Sequence, residues 1–274
     1  MRLNGLIVLL LLMLFSCQEE VVLELRDSEW IPVIEASWTD ERNFNQVKIT
    51  KSRDYYDSSR FEIIQDAEVY IIHHEGQRRI EFQYSKQTGT YLPVDNSTGR
   101  QGHRYSLHVK INGNHYKSEG VLLEAPTLDS LSYTYKEKRV LRPAGYYIKI
   151  HGKVPFEEDN YYRARVIRND TLLNRRDDYL LFDDTLGSAV LEDGFELDNI
   201  PFRKGDEARV ALFRLNKSAY DYLQELVRLL FNDGGLFTPP PQNPPSNLEV
   251  VEGNGLVLGY FLVAPVLSES LTIE

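Results

Sequence analysis

The chain has little cysteine, no surplus of positive charge, one short apolar run and none of the familiar catalytic signatures. Each shortage excludes something. One cysteine, Cys17, stands in 274 residues, so no intramolecular disulfide can form. Folding must then rest on ordinary cores. Lysine and arginine number 31 against 41 acidic residues, a formal net charge of −10. Nucleic-acid binders concentrate positive charge, and no basic stripe interrupts this acidity, so no nucleic-acid partner is expected. The leading apolar run, Leu6 to Phe15, is ten residues long, while a spanning helix needs about 20. There is no Gly-x-Ser-x-Gly elbow and no phosphate loop. Gly253-Asn254-Gly255 with Gly259 approximates a dinucleotide fingerprint. Its third glycine is one place late and no parallel βαβ unit surrounds it, so it reads as a turn. No enzyme activity and no cofactor are expected.

What is present begins at the N-terminus. Arg2 supplies one charge, Leu6 to Phe15 the apolar core, and Ser16 a small residue before Cys17. That order describes a secretory signal over residues 1–16. Leu14-Phe15-Ser16-Cys17 resembles the bacterial lipobox, with Phe15 bulkier than usual. The resemblance implies lipid attachment at Cys17 after cleavage before it, and two or more acyl chains anchor a protein stably. Gln18, Glu19 and Glu20 follow and resemble the acidic export signal of surface lipoproteins. Residues 17–29 then form an acylated tether.

From Trp30 the pattern is extended. Ile34, Ala36 and Trp38 alternate with polar residues, as do Tyr105, Leu107, Val109 and Ile111. Period two marks half-buried strands, and Asn112-Gly113 is a preferred hairpin turn. About seven short strands before Ala125 predict an immunoglobulin-like β-sandwich over residues 30–125. A second strand series from Leu131 predicts another sandwich over 126–274. The expected fold is therefore mainly β, two tandem immunoglobulin-like sandwiches, the second with one amphipathic helix and a Pro-rich arm. The helix is expected at 217–232, from the stripe Ala219, Tyr222, Leu223, Leu226, Val227 and Leu230. Asn216 or Ser218 is positioned to cap its start and Gly234 to end it. The arm, 238–246, is too rich in proline for a helix or an inner strand. The apolar run Leu256 to Val266 reads as a final strand buried on both faces.

Six histidines, at 73, 74, 103, 108, 115 and 151, fall in strand-like runs. Neighbouring strand residues face opposite ways, so His73 and His74 are expected on different faces, and His103 and His108 likewise. No metal site is expected from them. Asp95-Asn96-Ser97-Thr98-Gly99 is a fragment of a calcium loop, and a calcium site needs six or more converging oxygens. Acidic pairs such as Asp177-Asp178 and Asp183-Asp184 read as solvated loop charge. In the pairs Tyr55-Tyr56, Tyr146-Tyr147 and Tyr161-Tyr162, one ring of each must leave the core, and tyrosine is a usual contact residue. Tyr146, Tyr161, Phe237, Pro239, Pro240 and Pro241 are the candidate partner contacts.

Several segments together resemble a known family: Ile34-Glu35-Ala36-Ser37-Trp38-Thr39-Asp40, Asp66-Ala67-Glu68-Val69-Tyr70-Ile71, Gly89-Thr90-Tyr91, and Gly102-His103-Arg104-Tyr105-Ser106-Leu107 with Tyr116-Lys117-Ser118. The helix, the proline arm with Ser246-Asn247-Leu248, and Leu258-Gly259-Tyr260-Phe261 complete the set. The chain is similar to a family of Bacteroidota outer-membrane lipoproteins bearing a domain of unknown function and encoded beside TonB-dependent receptors. The resemblance implies two β-rich domains and a lipid-anchored protein facing the cell exterior. It would serve a TonB-dependent nutrient receptor as a ligand-capturing or lid subunit. It carries over no catalytic residues. A free-standing adhesin or glycan-binding module, with a glycan or peptide ligand, is the alternative reading. A hydrolase using a carboxylate pair is a third.

Overall fold

The computed structural model describes residues 30–53, 59–157, 160–184, 191–232 and 242–274. The strands run in chain order as β1 Pro32–Thr39, β2 Gln46–Lys51, β3 Glu68–His73, β4 Arg78–Ser85, β5 Thr90–Pro93, β6 Arg104–Ile111, β7 Asn114–Val121 and β8 Thr127–Lys136. They continue as β9 Gly145–Lys153, β10 Tyr161–Arg168, β11 Thr171–Leu172, β12 Leu180–Asp183, β13 Phe195–Glu196 and β14 Glu207–Leu215. Among the described residues one α-helix, α1 Lys217–Leu230, precedes β15 Glu249–Glu252, β16 Leu258–Ala264 and β17 Val266–Thr272. The fold is mainly β and sandwich-like, as the alternating pattern predicts.

Nine strands make the first sheet, in the order β15-β7-β6-β3-β4-β5-β2-β1-β16. Alternation sends Ile34, Ala36 and Trp38 of β1 and Tyr105, Leu107, Val109 and Ile111 of β6 into one core. Trp38 lies at its centre, 6.0 Å from the Phe82 ring and 5.7 Å from the Tyr105 ring. The Asn112-Gly113 turn has φ of 49° and 81°, which suits a two-residue hairpin, and β6 pairs β7 across it. The two ends of the sheet meet. Asn247 donates its Nδ2 to the carbonyl of Phe261 and accepts the Phe261 N–H on Oδ1 (2.9 and 2.8 Å). Its own carbonyl accepts from Ser118 Oγ of β7 at 2.7 Å. The single core therefore holds residues from both ends of the sheet, Tyr116 and Phe261 among them.

The second half packs a sheet of β10, β11, β12, β14 and β17 against a smaller one of β8, β9 and β13. Ile148 and Ile150 of β9 meet Tyr162, Val166, Val210 and Leu212 of the larger sheet in its core. The helix closes a third cluster. Ala219, Tyr220, Tyr222 and Leu223 pack on Phe213 and Leu215 of β14 and on Leu262 and Ala264 of β16. It thus lies over the seam between the halves. Leu226 packs beside this cluster, while Leu230 is 39% exposed, because the helix has by then run past the sheets.

Two expectations change. Residues 249–264 fall within the second sequence segment, yet β15 pairs β7 and β16 pairs β1 of the first sheet. The expected last strand is two strands: β16 stays in the first sheet, Pro265 interrupts, and β17 joins β14 of the second. Proline has no N–H for a ladder, so the sheet changes there. Burial of both faces of β16 holds, since Phe261 and Val263 enter the first core while Leu262 and Ala264 enter the helix cluster. Asn216 stands at the helix N-cap but makes no side-chain cap. Gly234, and the arm apart from residues 242–246, lie outside the described residues.

Candidate functional site

Where β3 ends, the turn His74-Glu75-Gly76-Gln77 leads into β4. A polar cleft of about 570 Å³ opens beside it, lined among others by His73, Arg78, Asp95, Ser97 and Arg100. The β3–β6 register sets His73 opposite Tyr105, so His103, two residues earlier, extends the same face beyond the strand end. The His74 N–H donates to the Arg104 carbonyl at 3.1 Å and continues the ladder. His73 stacks on Tyr105 with ring centroids 4.9 Å apart and planes 18° apart. Its Nε2 lies 2.6 Å from His103 Nδ1 and 3.8 Å from Glu75 Oε2. Burial holds the His73 imidazole below its usual range. The Arg104 N–H, donating to Glu75 at 2.9 Å, holds that carboxyl below its own.

Asp95 belongs to the fragment resembling a calcium loop. Its Oδ1 accepts the Ser97 N–H at 2.9 Å and its Oδ2 accepts from Arg78. The hydrogen bonds from Ser97 lower its pKa first, against burial. These oxygens organise the loop and bind an arginine.

The opposite face of the same strands carries a second polar array. Tyr70 stacks on His108 with centroids 4.8 Å apart and planes 4° apart, and the Arg79 guanidinium lies 3.6 Å from its ring centroid. His108 Nδ1 is 3.0 Å from His115 Nε2. His74 bonds Ser106, whose Oγ donates to Glu119 at 3.2 Å. Strand parity therefore assigned these faces well. It gave no access to the partners across strands, which depend on pairing and register. His151 stands apart, against Ser132 Oγ at 2.7 Å.

The candidate contact tyrosines are engaged in packing. Tyr146 and Tyr161 are half-buried, and their neighbours Tyr147 and Tyr162 are fully buried. The Tyr146 ring sits 5.6 Å from Tyr133 and 5.2 Å from Tyr135. Tyr161 sits 4.8 Å from Tyr220 of α1. The rings that leave the core are thus covered by other aromatics, and Tyr135 is the ring left 50% exposed. Asp184 accepts Asn160 N and Nδ2 at 3.1 and 2.7 Å. Asp183 accepts the Tyr220 hydroxyl at 3.3 Å. Glu196, a pairing the sequence did not single out, binds Lys136 and pushes the Asp198 carboxyl upward by sharing a hydrogen bond with it. Cys17, Gln18, Glu19, Glu20, Phe237, Pro239, Pro240 and Pro241 lie outside the described residues, as do Tyr55 and Tyr56.

Fold and cleft together define a mainly β protein of two sandwich-like halves, with the chain stepping directly from one to the other between β16 and β17, and a histidine-edged polar cleft on the first half. The chain belongs to the family described as Domain of unknown function (DUF4249), whose profile matches residues 18–270. No curated protein matches it.

Proposed function

We propose that this protein is a lipid-anchored surface protein of the outer membrane that acts as an accessory subunit, for ligand capture or as a lid, of a TonB-dependent nutrient receptor. The observation that carries the anchoring is a boundary. The family match begins at residue 18, immediately after Cys17, so the whole matched domain follows the one residue that resembles a lipid attachment point. Gln18, Glu19 and Glu20 support an outward-facing position. Among the described residues no helix is long and apolar enough to cross a membrane. The receptor partnership rests on the family resemblance.

The solvated cleft beside His73 supports capture of a polar solute. A non-catalytic role is supported by the carboxylates of Asp95, Asp183 and Asp184, each spent on a structural hydrogen bond. Phe237 and Pro239 to Pro241 remain the first contacts to substitute. The decisive experiment is purification of the tagged protein from detergent-solubilised outer membrane. A receptor barrel should copurify with the wild type, and Cys17→Ser should release the protein from the membrane fraction. Membrane retention of Cys17→Ser would remove the anchor. Absence of any barrel, together with unchanged uptake in a deletion strain, would remove the receptor role. Binding of a glycan or peptide without a receptor would favour the free-standing adhesin instead.

A further inference from the structure

Three potential ligand atoms, two from the end of β3 and its turn and one from the approach to β6, converge beside the cleft that His73 lines. His73 closes β3, Glu75 lies in the turn that follows, and His103 precedes β6. His73 Nε2 and His103 Nδ1 are 2.6 Å apart, His73 Nε2 and Glu75 Oε2 are 3.8 Å apart, and all three ligand atoms lie within 4.8 Å of one another. We infer that His73, Glu75 and His103 form a binding site for a divalent transition cation of the zinc class, with its remaining coordination position open to the cleft.

The distances fit that occupant. Zinc bonds nitrogen and oxygen at about 2.0–2.2 Å, which sets tetrahedral ligand atoms about 3.3–3.5 Å apart. The observed separations bracket this range, and small side-chain shifts bring each into it. Glu75, with a side chain 44% exposed, has room for such a shift. At 2.6 Å the two imidazole nitrogens must share one proton, and a cation takes the place of that proton. Two imidazoles and one carboxylate are borderline donors suited to zinc, copper, nickel or cobalt. Calcium and magnesium want mainly oxygen, so the donor set disfavours them.

The surroundings hold the ligands in place, as orienting contacts do at metal sites. The Tyr105 ring backs His73. Gly76 leaves the space that the His73 ring fills, for a Cβ there would lie 2.5 Å from His73 Nδ1. The Arg104 N–H donates to Glu75 Oε2 and fixes the carboxylate, and that oxygen keeps a second lone pair for the cation. Two arginines also face His73. Arg78 is neutralised by Asp95. Arg100 keeps its charge on the cleft side, which lowers affinity for a bare cation and favours an anionic group at the open position.

This site does not depend on the receptor reading, because it is measured on the isolated protein. The full chain, purified in detergent and stripped with chelator, is titrated with zinc chloride by calorimetry. Cobalt absorption reports the coordination. The expected result is one equivalent of zinc bound and a raised thermal midpoint. Glu75→Gln and His103→Gln should each weaken binding at least about tenfold, the loss that even supporting residues cause at metal sites. His115→Gln, in the other histidine pair, should leave binding unchanged. Should His103→Gln fail to fold, Glu75→Gln alters only a surface carboxylate and decides alone. The inference is overturned by a wild type with no saturable zinc uptake, by undiminished affinity in Glu75→Gln, or by loss of binding in His115→Gln.

Discussion

Asn216 sits where a helix cap belongs, and its amide is used elsewhere. It accepts the Val121 N–H at 2.9 Å and donates to the Val121 carbonyl at 2.8 Å. Those two bonds fasten the end of β7 to the start of α1. Asn216→Ala leaves the Val121 groups without these partners and should cost about 1–3 kcal/mol. The urea midpoint should fall with the slope unchanged. His108 makes a prediction in pH. Burial, with help from His115 and Lys117, pushes its imidazole down to about 4, from an ordinary value near 6.5. The other groups facing it are Glu119, His74 and the Tyr70 ring with Arg79 behind it. The unfolded chain takes up this proton as pH falls through about 6.5, while the folded chain resists until about 4. Stability is therefore fully present above 6.5 and lost on the way down to 4. His108→Gln should flatten that loss, so its stability gap from the wild type narrows as pH is lowered across this window.

At the scale of elements, the helix is held by tertiary burial at the seam. Leu223 is 1% exposed and enters the cluster shared by β14 and β16, so Leu223→Ala should cost about 2–5 kcal/mol. Leu230→Ala, on the exposed last turn, should cost less than about 0.5 kcal/mol. Chemical denaturation of the two variants side by side checks both. Elements of this kind were legible in the sequence: period two in β1 and β6, the Asn112-Gly113 hairpin, and the helical stripe all rest on local spacing. Partnerships were not. Strand β1 pairs in parallel with β16, Ile34 opposite Gly259, and no local pattern encodes a partner that far along the chain. His73 meets His103 for the same reason: parity gives a face, and only register gives a neighbour. Tyr146 and Tyr161 show the same limit. Their outward rings were visible as candidates, but the aromatics that cover them come from β8 and α1.

The whole molecule is tied together at Pro265. The chain leaves the first sheet at Ala264 and enters the second at Val266, and Asp40 of the first half accepts the Val266 N–H at 2.8 Å. Burial raises the Asp40 carboxyl above its usual range, against that hydrogen bond. With the helix cluster drawing on both halves, the described strands should unfold as one unit. Tryptophan fluorescence, dominated by buried Trp38 in the first core, and far-ultraviolet circular dichroism should give coincident urea transitions. Two separated transitions would show halves that melt independently.

The same crossing has a consequence for the order in which the molecule is made. Strand β16, Leu258–Ala264, is made long after β1, Pro32–Thr39, yet it is a wall of the core that begins with β1. Nothing synthesised in between can substitute for it, because Phe261 and Val263 fill space that Ile34 and Trp38 share. The first half thus stays open at one edge until β16 has been made. A protein built this way completes both halves together, and a fragment ending near residue 125 is left with an unsealed sheet.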